Sequence, residues 1–133
     1  MTFKYYEVAR EIIRPIIEVI LKSDTRVGIF PSLIDSGADY CIFSLETANL
    51  LGIELPPKNK TTISGIGKDK VEGYWNEVEL RIARKIYTAK VIFAKISDYG
   101  FGILGQQGFF DHFDVNLSYQ KQTIEIAPTR VSN

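Results

Sequence analysis

The apolar residues of this chain gather into short runs rich in β-branched side chains, separated by turn-forming residues. Ile16 to Lys22 is one such run. Ser23-Asp24 reads as a turn after it, and Arg26 to Ile34 resumes as a second strand that runs into Asp35, which predicts a hairpin. The first fourteen residues are ambiguous, because Tyr5, Val8, Ala9, Ile12 and Ile13 recur at helical spacing while the Tyr and Ile pairs also favour strands. Pro15 ends that segment. Residues 44–51 predict a short helix, with Ser44 placed to cap it, Leu45, Ala48 and Leu51 at three-residue spacing, and Gly52 to stop it. Pro56-Pro57 then predicts an extended loop. From Thr61 the pattern is strand and turn: Thr61 to Ile66, a glycine-bearing hairpin tip over 65–70, Val71 to Ile82, and Ile86 to Ile96. Phe101 to Leu104 reads as a brief strand ending at Gly105. A helical turn over about Gln106 to Phe110 follows it, and Phe113 to Leu117 and Thr123 to Ile126 are the last two strands. The expected class is mainly β, with one or two short helices and no internal repeat or low-complexity linker.

Composition narrows the classes without naming a function. At 133 residues the chain fits one domain spanning 1–133, and 45% apolar with 24% charged residues is ordinary globular composition. Sixteen basic and sixteen acidic residues cancel and are interspersed, so no strong field is expected to attract nucleic acid or an anionic membrane. Cys41 is the only cysteine, which excludes an intrachain disulfide. Charged Lys4, Glu7, Arg10 and Glu11 occupy the N-terminal region where a secretory signal needs an apolar stretch, so a cytoplasmic location is expected. The greasiest segment, Ile16 to Leu21, is broken by Glu18 and is too short to span a bilayer.

The chemistry concentrates at Leu33-Ile34-Asp35-Ser36-Gly37-Ala38-Asp39, where a carboxylate follows an apolar strand directly. Desolvation disfavours the charged form of such a group, and catalysis is one reason to keep it there. Asp-Ser-Gly alone is a weak signal, since the same tripeptide makes ordinary turns. Two further features add to it: the glycine-tipped hairpin about thirty residues on, and Ile103-Leu104-Gly105 about seventy residues on, ahead of the helical turn. In this order and spacing, the motifs of residues 14–126 resemble those of the retropepsin-like aspartic proteases.

That resemblance implies a closed β-barrel with the active site at a homodimer interface, and an endopeptidase that cleaves extended peptides without metal or cofactor. Asp35 would be the catalytic carboxylate, Ser36 would hydrogen-bond across the two-fold axis, and Gly37 would let a substrate backbone lie close. Ala38 and Asp39 would line the groove, Gly65, Ile66 and Gly67 would form a flap tip over bound peptide, and Ile103, Leu104 and Gly105 would pack behind the catalytic loop, with Ile103 reaching substrate. The reaction needs two carboxylates, and one Asp-Ser-Gly in 133 residues leaves the second to another chain. One departure stands out. Retroviral members usually place Arg after the second apolar-apolar-Gly motif, where it pairs with the acid at position 39, and this chain has Gln106.

Other signals read as structural. His112 has neither a nucleophile frame nor a second ligand set around it, Cys41 lies in an apolar run, and Gly65-x-Gly67-Lys68 lacks phosphate-loop spacing. Trp75 and Tyr74 read as packing anchors, with a substrate-pocket role as the alternative. The competing functional reading is a non-catalytic or latent dimerisation or peptide-binding module on the same fold.

Overall fold

The longest unbroken pairing in the N-terminal half joins Ile16–Lys22 (β4) to Val27–Ile34 (β5), antiparallel from Ile16↔Leu33 to Lys22↔Val27. The sequence reads as this hairpin because one face of β4 carries Val19 and Leu21, both fully buried, while Glu18 and Lys22 stay exposed. The turn is fixed by Ser23, whose hydroxyl accepts from the Arg26 amide at 3.1 Å and donates to the Leu51 carbonyl at 2.7 Å. This is a computed structural model that describes residues 1–64, 70–96 and 100–129.

The first fourteen residues are strands and not a helix: Thr2–Lys4 (β1), Tyr6–Ala9 (β2) and Ile12–Arg14 (β3). β2 and β3 form their own small hairpin. Further along come Ile42–Ser44 (β6), the helix Leu45–Leu50 (α1), Lys60–Ser64 (β7), Lys70–Ile82 (β8) and Lys85–Ala94 (β9). Gly102–Leu104 (β10), Phe113–Ser118 (β11) and Thr123–Pro128 (β12) complete the described elements. The protein is mainly β. Seven strands share one sheet in the order β4-β5-β10-β6-β9-β8-β7, and β4 pairs with β8 as well. A second sheet has the order β1-β12-β11. Its middle strand is therefore the C-terminal one, with both edges occupied by its own chain.

α1 begins and ends where the sequence places it. The Ser44 hydroxyl accepts from the Thr47 amide at 3.0 Å, and Gly52 takes φ +67° just after the helix. Two expectations change. Pro57–Asn59 is a 3-10 turn inside the expected extended loop, because proline at its first position lacks only an N–H that the turn does not use. The expected helical turn over Gln106–Phe110 is an irregular turn: Phe110 N–H reaches Gly105 O and Asp111 N–H reaches Gln106 O, each five residues back, and Gly108 at φ +101° breaks helical geometry. The predicted tip residues Gly65, Ile66 and Gly67 lie outside the described residues. The strands leading to them pair in unbroken register from Lys60↔Tyr74 to Ser64↔Lys70. Among the described residues, no helix is long and apolar enough to cross a membrane.

Phe43, Phe93, Phe109 and Phe113 fill the main core together with Leu21, Leu80, Leu104 and Ile124. A separate cluster of Ile42, Ile92 and Ala94 packs with Tyr40, Ile63, Trp75 and Ile103. Within the described residues, every buried side-chain nitrogen or oxygen has a partner.

The irregular turn is braced from β9. Tyr87 donates its hydroxyl to the Gly108 carbonyl at 2.7 Å, and the His112 ring stacks on Tyr87 with centroids 4.2 Å apart. The Lys85 ammonium lies 3.2 Å from His112 Nδ1 and must be the donor, so that nitrogen carries no proton. Burial lowers the His112 pKa; nearby Asp111 opposes that shift and Lys85 adds to it. The unfolded chain then takes up this proton more readily than the folded one. Stability from this group is complete above the ordinary histidine value of 6.5 and is lost as pH falls through the lower folded value. His112→Gln keeps an acceptor for Lys85 without titrating. Its urea midpoint should therefore fall less than that of the wild type as pH drops below 6.5, and parallel declines would remove His112 from the acid response.

Candidate active site

Asp35 stands where β5 ends, and its position is set by the strand beside it. β10 runs parallel to β5 with Leu104 level with Ile34, so both strands finish together. The Asp35 amide then donates to the Leu104 carbonyl at 3.0 Å. Immediately beyond, Gln106 N–H donates to Ala38 O at 2.8 Å and Gln107 N–H to Asp39 O at 2.9 Å. Gly105 makes this approach possible, since a Cβ there would strike the carbonyls of Tyr40 and Ala38.

Within the loop, the Gly37 amide donates to Asp35 Oδ1 at 2.9 Å, and Ala38 N–H donates to Asp35 O at 3.1 Å. A Cβ at Gly37 would come within 3.3 Å of the same carboxylate oxygen. Asp35 is half-buried, so one oxygen has an amide donor while the group keeps contact with solvent. Ser36, Gly37 and Asp39 are exposed.

Gln106 does something other than pair with Asp39. Its side-chain amide donates to the Ser36 backbone carbonyl at 2.7 Å. Unlike arginine, the neutral amide cannot form a bidentate ion pair with a carboxylate, and here it is used on a backbone carbonyl of the Asp35 loop. Asp39 is reached only through its backbone carbonyl and has no ion-pair partner among the described residues.

The loop opens onto a hollow of about 620 Å³ lined by Asp35, Gly37, Ala38 and Asp39 on one side. The remaining wall sets Tyr40, Ile42, Ile63, Trp75 and Ile92 beside the hydroxyl residues Thr61, Thr62 and Ser64. Tyr40 and Trp75 meet edge to face with centroids 5.0 Å apart. Trp75 is level with Ile92 across β8 and β9, and Ile92 with Ile42 across β9 and β6, so strand register builds the wall. Of the residues singled out from sequence, Asp35, Gly37, Ala38 and Asp39 come together here. Ser36 and Ile103 are not in the lining, and Ile103 instead pairs with Ile42 and packs on the Ile42–Ile92 cluster. The wall residues were missed except for Trp75, because nothing local to Ile63 or Ile92 says that four strands will bring them beside Asp35. A larger hollow of about 890 Å³, bordered by Lys22, Asn76 and Glu79, is polar and lacks Asp35.

Cys41 sits directly behind the loop and is fully buried. Burial pushes its thiol up to about 12, so it is neutral at physiological pH and acts as a small packing group.

No family model matches the sequence, and no curated protein matches it. Solved structures do. The EIAV protease in complex with an inhibitor superposes with a TM-score of 0.52 at 25% identity, over 70% of this chain and 82% of that one. A retropepsin-like aspartic protease from Rickettsia conorii gives a TM-score of 0.58 at 15% identity, over 84% of this chain and 89% of the other. The retroviral protease-like domain of Ddi1 from Leishmania major gives 0.56 at 14%, over 84% and 87%. The fold is that of the retropepsin-like aspartic proteases.

Replacing Gln106 tests the intrachain brace. Gln106→Ala should lower folding stability by about 0.5–1.5 kcal/mol, as expected for one exposed-loop hydrogen bond. It should also speed amide exchange at Gly37 and Ala38, read by hydrogen-exchange mass spectrometry. Unchanged exchange would mean that the backbone bonds alone fix the loop.

Proposed function

We propose that this chain is an aspartic endopeptidase in which Asp35 from two identical subunits activates one water against the scissile carbonyl of an extended peptide. The observation that supports it most is the Asp35 loop itself: a half-buried aspartate, its backbone amide tied to β10 and its carboxylate bonded by the Gly37 amide, lining a hollow with an aromatic and aliphatic wall, on a fold shared with aspartic proteases. Peptide hydrolysis by carboxylates needs one group to take a proton from water and one to donate a proton to the carbonyl. A single chain of one domain offers one such loop. In a symmetric pair the two carboxylates would lie close enough to share one proton and titrate as a unit.

The flap strands β7 and β8 would present edge backbone to the peptide, with alternate side chains entering hollows. Gly65, Ile66 and Gly67 would close over it, Ser36 would bond across the two-fold axis, and Ile103, packed on the Ile42–Ile92 cluster, would support the groove from behind the catalytic loop. β12 has no open edge, so subunit pairing through the β1-β12-β11 sheet would fall to the outer edge of β1 or β11.

Digestion of casein across pH 3 to 8 checks the catalytic reading. Asp35→Asn should lose about 100-fold or more of the activity, and a statine-type transition-state mimic should block the wild-type activity. Cleavage that survives Asp35→Asn would refute the mechanism.

A latent enzyme is the second reading, favoured by Gln106 bonding within its own chain and by Asp39 lacking an ion pair among the described residues. Specific activity should then rise with protein concentration, because monomers contribute none. Specific activity constant down to nanomolar protein would rule out a weak dimer.

A further inference from the structure

The hollow beside Asp35 has a neighbour. A second hollow of about 440 Å³ shares Tyr40 and Trp75 with the first, so the edge-to-face aromatic pair is a common wall. Its other lining residues are Lys58, Asn59, Lys60, Lys90 and Gln107, which gives three ammonium groups and no carboxylate. The first hollow is the reverse, with Asp35 and Asp39 and no cation. The two halves of the surface therefore differ in sign although the chain as a whole is neutral.

The lysines are not equally available. Lys60 is held by Glu72 at 3.1 Å. Lys58 and Lys90 have no ion-pair partner among the described residues, although Glu77 is level with Lys90 across β8 and β9. Lys58 is carried by the 3-10 turn, and Lys90 lies on β9 two residues before Ile92, on the same face. Ile92 lines the hollow beside Asp35 and Lys90 the basic one, and along the strand these two residues stand about 6.6 Å apart. An extended peptide repeats at that same interval, with residues n and n+2 pointing the same way.

We propose that the Lys58–Lys90 hollow is a distal substrate subsite for an Asp or Glu side chain, two residues from the apolar side chain that fills the hollow beside Asp35. This rests on the groove being a peptide site. An acidic side chain there gains two cations, whereas the same side chain in the first hollow meets Asp35 and Asp39, so charge sets the register of the peptide.

The test uses fluorescein-labelled nonapeptides built around a non-cleavable statine unit with an adjacent Phe. They differ only in carrying Glu, Ala or Lys two residues to either side of the Phe. Anisotropy titrations against the full chain should show one Glu peptide binding about fivefold tighter than its Ala counterpart at low salt, with the Lys peptide weakest. That advantage should shrink at about 300 mM NaCl and invert in the Lys58→Glu/Lys90→Glu protein. Equal affinities, no binding by any peptide, or a Glu preference indifferent to the charge reversal would each overturn the subsite. Casein digestion separates the two readings: Asp35-dependent cleavage without charge preference removes only the subsite, and charge-selective binding without cleavage removes only the catalytic reading.

Discussion

The parallel pairing of β10 with β5 is the constraint on which the site depends. It brings two strands seventy residues apart in sequence to a common end, so the chain leaving β5 at Asp35 and the chain leaving β10 at Gly105 lie against each other. Three backbone bonds and one side-chain bond then tie the loop of residues 35–39 to residues 104–107. A short parallel pair of this kind has no hairpin to hold it and depends on what lies around it. Here Leu104 is fully buried, Ile103 pairs with Ile42 of β6, and the neighbouring β6 is in turn parallel to β9. The Asp35 carboxylate is thus placed by the backbone bonds of its loop and by the Gly37 amide that donates to its Oδ1.

The arrangement also divides labour between two apolar clusters. The larger one, with its four buried phenylalanines, holds most of the buried apolar side chains among the described residues and continues beneath the turn after β10. The smaller one, around Ile42 and Ile92, has only partly buried members at its rim and forms the wall of the hollow beside Asp35. Apolar surface left open next to a carboxylate costs stability in an isolated chain and is useful when a peptide side chain covers it. The proposed acidic subsite extends the same logic: beyond the Tyr40–Trp75 wall the surface changes from acidic to basic, and a peptide can be placed along it by charge as well as by shape.

Gln106 shows how one substitution changes the meaning of a motif. Arg in that place offers a fork of donors for a carboxylate, whereas the glutamine amide is neutral and binds the Ser36 carbonyl in its own chain. The loop gains an internal brace, and Asp39 is left exposed toward the groove. The enclosed C-terminal strand has a similar effect, since β1 occupies the edge of β12 that would otherwise be open. Both features make the single chain more self-contained.

Much was decided by the sequence alone, and for local reasons. The β4–β5 hairpin follows from its β-branched runs and Ser23-Asp24, α1 from Ser44 and Gly52, and the Asp35 loop from Asp-Ser-Gly at the end of an apolar strand, because each depends on residues within one or two turns of chain. The resemblance in motif order pointed to the fold that the solved structures share. Only the tertiary structure decided the rest. The helix-or-strand ambiguity of residues 1–14 was resolved by pairing, of β2 with β3 in a small local hairpin and of β1 with β12, more than a hundred residues away. The turn after Gly105 could not be told from a helix by periodicity, since Gly108 and the bonds of Asp111 fix it. The wall of Ile63, Trp75 and Ile92 and the lysine hollow beyond it exist because strand register places residues from four elements side by side, and register is a property of long-range pairing that no local pattern encodes.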